Sequence, residues 1–273
     1  MASPELLTPR SARIKQARRL TTRAFRTKAG RFLAEGPQAV REALRTGLVV
    51  EVYAAPEAED RYRDLRNLAR AAAIPWLPVD DQALDAVTDT VTSQGVVAVC
   101  RLVDVPLSEA VRRDARLLAV GVQVRDPGNA GTLIRTADAA GADAVVFSTE
   151  SVDPHNPKAV RASVGSVFHV PVSLDADVES AAGQWRDQGL QVLAADGEGD
   201  TDLDDLADAG GLATPTAWLF GNEAHGLPGT VTAIADGVVR VPIYGHAESL
   251  NLATAAAVCL YASARAQRRT AHP

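Results

Sequence analysis

Three stretches in the second half of the sequence carry residue types and spacings suited to chemistry rather than to packing. In Arg125-Asp126-Pro127-Gly128-Asn129-Ala130-Gly131-Thr132-Leu133-Ile134-Arg135, a glycine-rich turn runs into a helix. Pro127 and the two glycines let the turn's backbone approach a ligand closely. Asn129 is expected in the loop and Arg135 about one turn into the helix, where a guanidinium among Ala, Leu and Ile is costly unless it meets an anion or a partner. In Leu219-Phe220-Gly221-Asn222-Glu223-Ala224-His225-Gly226-Leu227, Gly221 and Gly226 flank Glu223 directly after an apolar strand. Loop amides there can reach a ligand, and the carboxylate can orient Arg135 or Asn129. In Val241-Pro242-Ile243-Tyr244-Gly245-His246-Ala247-Glu248-Ser249-Leu250-Asn251, a strand and a loop lead to Ser249 and Asn251, both good N-terminal caps, at the start of the last helix. All three are strand-to-loop junctions, where α/β enzymes keep their binding and catalytic groups.

Competing signatures are absent from the sequence. No G-x-G-x-x-G follows a strand and there is no G-x-x-x-x-G-K-[ST]; the only lysines are Lys15, Lys28 and Lys158, none beside a glycine-rich loop. There is no G-x-S-x-G elbow and no H-E-x-x-H pair. Cys100 and Cys259 lie singly in apolar runs without metal-ligand spacing, so they read as core residues and no metal site is expected.

The elements that must position these stretches alternate between strand and helix. Residues 11–20 read as a helix, 31–36 as a strand, 37–46 as a helix opened by proline and closed by Gly47, 49–54 as a strand and 58–73 as a longer helix. Strands at 74–79 and 96–102 complete a small sheet. A composition break at 104–114 marks a linker, giving domains at 1–103 and 115–273. The second domain restarts with strand 117–122, helix 132–140, strand 144–148, helix 158–166, strand 169–172, helix 178–188 and strand 191–195. An acidic loop at 200–208, strands 216–220 and 238–243 and helix 249–266 finish it. Such alternation implies a mostly parallel sheet covered on both faces. The chain is thus expected to be α/β.

At 273 residues with 47% apolar content, the chain can fill two cores. Its net charge of −6 hides an asymmetry. Residues 1–31 hold nine basic side chains (Arg10, Arg13, Lys15, Arg18, Arg19, Arg23, Arg26, Lys28, Arg31) against Glu5, a local +8 that leaves −14 on the remainder. A basic arm on an acidic body fits a polyanion partner, with Arg13, Lys15, Arg18 and Arg19 the leading contacts. No apolar run reaches membrane-spanning length and no apolar leader opens the chain, so a cytoplasmic protein is expected.

In order and spacing the three stretches resemble the signature motifs of the SpoU (TrmH) branch of the SPOUT RNA methyltransferases. The resemblance implies transfer of a methyl group from S-adenosylmethionine to an RNA ribose 2′-hydroxyl. It implies a deep trefoil knot in the C-terminal domain, something composition could never suggest. Arg135 takes the place of the family's catalytic arginine, with Asn129 arranging it, and Glu223, Ser249 and Asn251 complete the catalytic set. Backbone groups of Gly221, Val241 and Leu250 would cradle the adenosine, and Ser249 and Asn251 would line the side where the methyl leaves. The stretch Arg161-Ala162-Ser163-Val164-Gly165 also resembles a family element, which makes Arg161 a candidate RNA-phosphate contact. The first domain resembles the substrate-binding domain of many SpoU enzymes, shaped like ribosomal proteins that bind kinked RNA.

Two accounts of Arg135 stay open at this level: a perturbed arginine acting as base, or a charged one holding phosphate and stabilising the emerging alkoxide. By analogy with the family's domain arrangement, the substrate is structured ribosomal RNA rather than transfer RNA. A transfer-RNA methyltransferase is the alternative enzyme, and a non-catalytic RNA-binding or assembly factor is the alternative from another class. A homodimer is also expected. The last helix is apolar and small-sided nearly all round, so it must be buried on more than one face, and family members pair through their knotted ends.

Overall fold

The computed structural model describes residues 6–88, 90, 93–222 and 225–271. The chain divides into two compact units, Met1–Val103 with Asp153–Phe168, and Asp104–Val152 with His169–Pro273. From the N-terminus come α1 (Ala12–Arg19), α2 (Arg23–Ala29), β1 (Arg31–Glu35), α3 (Pro37–Thr46), β2 (Val49–Ala54), α4 (Pro56–Arg61), α5 (Arg63–Ala71), β3 (Trp76–Pro78), α6 (Asp81–Val87) and β4 (Val96–Arg101). Next are α7 (Leu107–Ala110), β5 (Leu117–Gly121), α8 (Pro127–Ala140), β6 (Ala144–Ser148), α9 (Pro157–Ser163), β7 (Val172–Ala176), α10 (Val178–Asp187) and β8 (Gln191–Ala195). The chain ends with β9 (Thr201–Asp202), α11 (Leu203–Asp208), β10 (Thr216–Phe220), α12 (Gly229–Ala233), β11 (Gly237–Arg240) and α13 (Leu252–Ala271).

In the first unit the sheet order is β1-β4-β2-β3, with β4 antiparallel to β1 and β2 and β3 parallel to β2. The expected helix over 58–73 is two helices, because Tyr62 adopts φ −120° and ψ 49° and breaks the run. Residues Asp153–Phe168 were expected in the second domain but pack in this unit. The reason is a buried polar knot. The Arg26 guanidinium lies 2.6 Å from the Asp153 carboxylate and also donates to the carbonyls of Leu20 and Thr21. His155 Nδ1 is 3.0 Å from Asp153, and its Nε2 accepts the Val103 N–H. Phe32 packs against the rings of both His155 and Phe168.

The second unit is a seven-stranded sheet in the order β7-β6-β5-β10-β8-β11-β9, every pair parallel. β5, β6 and β10 are buried along their whole length, which is why they read as almost wholly apolar runs. The core gathers Leu118, Val120, Val146, Trp185, Val192 and Leu219. β5, β6 and β7 are laid down toward one edge, and β10 later inserts between β5 and β8. The crevice beyond the strand carboxyl ends at such a reversal is where ligands bind in open α/β sheets.

Several expected bounds shift. Residues 104–114 hold α7 and a bridge from Asp104 to Val172, so they belong to this unit rather than to a free linker. The strand expected at 169–172 is β7, four residues later at its C-terminal end. The acidic loop contains β9 and α11, because the Asp202 side chain caps the Asp204 N–H. β11 stops at Arg240, since Pro242 has no N–H for the ladder. Helices α2, α6 and α12 were not expected. No described helix is long and apolar enough to cross a membrane.

Candidate active site

The first motif is more helical than its glycines suggest. Asp126 caps α8, its Oδ1 accepting the Asn129 N–H at 3.0 Å, and Pro127 occupies the first turn. Asn129 is therefore in the first helical turn and not in a loop, and Arg135 lies two turns in and not one. Six residues on one helix set the two side chains about 120° apart around the axis. Arg135 is exposed and makes no hydrogen bond or ion pair with another described residue. The preceding turn is fixed by Gln123, at φ 50°, whose N–H donates to Ser148 Oγ at 2.8 Å.

The second motif is a tight loop after β10. Asn222 and Gly226 exchange backbone bonds of 3.0 and 2.7 Å, closing its neck. Only glycine fits at 221: a Cβ there would lie 2.4 Å from the Gly226 carbonyl carbon. Gly226 sits at φ +65°, the left-handed region that favours glycine. The buried Asn222 side chain donates to the Gln123 carbonyl at 3.0 Å, tying Asn222 to the turn that follows β5. Sequence reasoning passed over Asn222, although it lies between two singled-out residues. Glu223 lies outside the described residues.

The third motif joins the first. α13 begins at Leu252 rather than Ser249, because Asn251 is its cap: Oδ1 accepts the Ala253 N–H at 2.9 Å. The same side chain donates from Nδ2 to Asn129 Oδ1 at 3.1 Å. Ser249 and Leu250 precede the helix in exposed positions.

A cavity of about 570 Å³ opens beyond the carboxyl ends of β8, β10 and β11. Gly221, Val241, Ser249 and Leu250, all singled out in the sequence, line it together with Phe220, Asn222 and Leu252. Asp196, Asp202, Arg240 and Glu248 also line it and were missed. Asp196 follows the end of β8, and that position was the available signal.

The basic candidates fare unequally. Lys15, Arg18 and Arg19 are exposed on α1. Arg13 pairs with Glu51 at 2.9 Å, and Arg161 pairs with Glu35 at 2.9 Å with only 26% of its side chain exposed. Arg26 is not part of a solvent-facing arm at all. At 2% exposure it is the cation of the buried knot described above.

A crevice-bearing parallel sheet with three motif loops meeting at its carboxyl edge defines an α/β enzyme of the SPOUT kind, and the chain belongs to the SpoU rRNA Methylase family, whose profile matches residues 116–261. Residues 11–98 match the MRM3-like substrate binding domain. Among similar proteins, the 23S rRNA (guanosine(2553)-2′-O)-methyltransferase RlmP of Bacillus subtilis is 34% identical over 92% of this chain and 96% of its own. A 23S rRNA (uridine(2479)-2′-O)-methyltransferase of Streptomyces viridochromogenes is 32% identical over 95% of this chain and 91% of its own. Among solved structures, the SpoU methyltransferase AviRb from that organism, in complex with the cofactor AdoMet, aligns with TM-score 0.82 and 30% identity, covering 95% of this chain and all of the other.

Proposed function

We propose that this protein transfers a methyl group from S-adenosylmethionine to a ribose 2′-hydroxyl of structured ribosomal RNA. The observation that carries the reading is the cavity lined by Gly221, Val241 and Leu250, set beside the Asn129–Asn251 contact. It occurs in a chain whose relatives, matched over nearly its whole length, are named for methylating 23S rRNA ribose.

The cavity suits the cofactor. Its size falls within the ~300–1,000 Å³ of small-molecule sites. Phe220, Val241 and Leu252 offer an apolar wall for a nucleobase, and Asp196, Asp202 and Glu248 offer carboxylates for a cationic group. When bound, S-adenosylmethionine supplies an electrophilic methyl carried on a sulfonium. The backbone of Gly221, Val241 and Leu250 would hold the adenosine, and Ser249 and Asn251 would flank the side from which the methyl leaves. Asn251 fixes Asn129, and by resemblance to the family Glu223 would orient Arg135 or Asn129. Arg135, exposed and without a described partner, holds the RNA phosphate and stabilises the 2′-oxygen as its proton passes to solvent water. A charged guanidinium does this without any unusual ionisation. Alignment of the attacking oxygen with the methyl is the main source of rate.

By resemblance to the family, the segment around 241–251 would be the threaded part of a trefoil knot. The protein acts as a homodimer, supported by exposed Val258 and Tyr261 on α13 and by Ile243, Tyr244 and Leu250 at the cavity rim. The reaction belongs in the cytoplasm, where bacterial relatives of this kind meet ribosomal RNA. The test is methyl-labelled cofactor with ribosomal subunits from cells lacking the protein. One rRNA nucleotide should become alkali-resistant at its 3′ phosphodiester. Label found only on transfer RNA, or only on a base, overturns the reading.

A further inference from the structure

We propose that the corner between α1 and α2 is a stacking platform for a single unpaired base of the RNA, built on Phe25 and Arg19, with Arg18 and Lys28 holding the adjoining phosphates. The inference rests on the RNA reading above and deepens it by naming the form of RNA recognised. Phe25 is only half-buried, and the Arg19 guanidinium carbon sits 4.0 Å from its ring centroid. The pair edges a concavity of about 500 Å³ lined by Arg18, Arg19, Thr21, Thr22, Phe25 and Lys28. Three of those side chains are cations, and none among the described lining residues is a carboxylate.

The platform is preorganised from below. Arg26, buried at 2% exposure and paired with Asp153, donates to the carbonyls of Leu20 and Thr21, the turn that joins the two helices. A rigid corner orders little on binding, which favours affinity. The hydroxyls of Thr21 and Thr22 donate to the carbonyls of Arg18 and Arg19 at 2.9 and 3.0 Å, so those protons are spent within the protein. What the corner offers outward is a flat cation on an aromatic ring, flanked by positive charge. Bases stack on aromatic rings and on guanidinium planes alike, and they do so with little regard to base identity. A base within a duplex has both faces covered already, so the occupant is unpaired.

The experiment uses the full chain and two RNA probes of equal length, a hairpin with a five-nucleotide loop carrying 2-aminopurine and a blunt duplex. Wild type should prefer the hairpin and quench the 2-aminopurine. Phe25→Leu should weaken hairpin binding about tenfold and abolish the quench, with the salt dependence unchanged. Arg19→Lys, which keeps the charge but not the plane, should behave likewise and decides the matter if Phe25→Leu fails to fold. Arg18→Gln and Lys28→Gln should each reduce the slope of log K against log salt by ~0.7 and leave the quench intact. Unchanged affinity and quench in Phe25→Leu and Arg19→Lys overturn the platform while leaving the RNA reading in place. Wild type that binds neither probe and methylates no ribosomal RNA overturns both.

Discussion

Asn251 Nδ2 donates to Asn129 Oδ1 at 3.1 Å, joining the first turn of α8 to the cap of α13 across 122 positions of chain. The same Asn251 side chain accepts the Ala253 N–H through Oδ1. One residue thus starts a helix and fixes a second site residue. Asn251→Ala should therefore lose about 1 kcal/mol of stability as a lost cap, while Asn129→Ala should lose less. Both should slow methyl transfer. Because the two share a contact, the double variant should slow it by less than the product of the single effects. Single-turnover rates and urea unfolding check this, and fully multiplicative rate losses would remove the contact from the mechanism.

Arg135 has a simpler expectation. With no described partner to hold it in place, its removal should leave the fold and cofactor affinity intact while transfer falls below a tenth of wild type, more than about 1.4 kcal/mol of barrier. Calorimetric titration with S-adenosylmethionine and a methylation assay on the same preparation separate the two effects. Arg135→Lys should recover part of the rate if charge toward phosphate is what matters, and none if the planar guanidinium is required.

Gly221→Ala should be far more damaging than its size suggests. The added Cβ meets backbone atoms of Gly226 and Leu227, at 2.4 Å from the nearest, and backbone cannot swing aside as a side chain can. Overpacking of this kind costs about 1–3 kcal/mol, and here it also displaces the loop that lines the cavity. Cofactor affinity should drop at least tenfold, with a lower urea midpoint. Retention of wild-type affinity would mean the loop opens freely.

The buried Asp153 gives the fold an acid sensitivity. Burial alone would raise its carboxyl, but hydrogen bonds from His155 and the Arg26 charge more than offset this and hold it well below the usual carboxylate range. Such a group stabilises the fold above the unfolded value of ~3.9 and loses that contribution as pH falls from there through the folded value. Asp153→Asn should cost about 3–5 kcal/mol at pH 7, because it strands the buried Arg26 cation. The penalty should shrink below pH 4, and urea unfolding at pH 7 and pH 3 measures it. A pH-independent penalty would assign the loss to packing instead.

Much of the site was legible because its residue types have few other uses. Gly221 beside Gly226 signalled close backbone approach, and the Cβ clash bears out that physical reason. Strands such as β6 and β10 were legible to the residue because a fully buried parallel strand is almost wholly apolar. What failed was long-range. Nothing near Arg26 in sequence says that Asp153 waits 127 positions away to bury it, so it was counted among surface cations. The same pairing draws 153–168 out of the domain that surrounds it in sequence. Asn129 was misplaced by a local misjudgement: glycines argued for a loop, but the Asp126 cap and Pro127 outweighed them and started the helix early.

The dimer is open to direct test. α13 is not buried all round, as its composition suggested. Thr254, Val258, Tyr261 and Arg265 form an exposed stripe at helical spacing, with Val258 at 40% and Tyr261 at 52% exposure. The buried faces are accounted for by α8, β5 and β10, and by the Trp218 indole donating to Ser263. A valine and a tyrosine left outward on a helix that otherwise packs tightly suit a second copy of the chain, as do the exposed Ile243, Tyr244 and Leu250. Sedimentation at low micromolar concentration should give twice the 28.7 kDa chain mass. Val258→Asp should shift it toward monomer and reduce methylation in step, with little change in the stability of the single chain because the side chain is exposed. A wild-type monomer that methylates ribosomal RNA at full rate would defeat the dimer. A Val258→Asp dimer would move the interface elsewhere on the molecule.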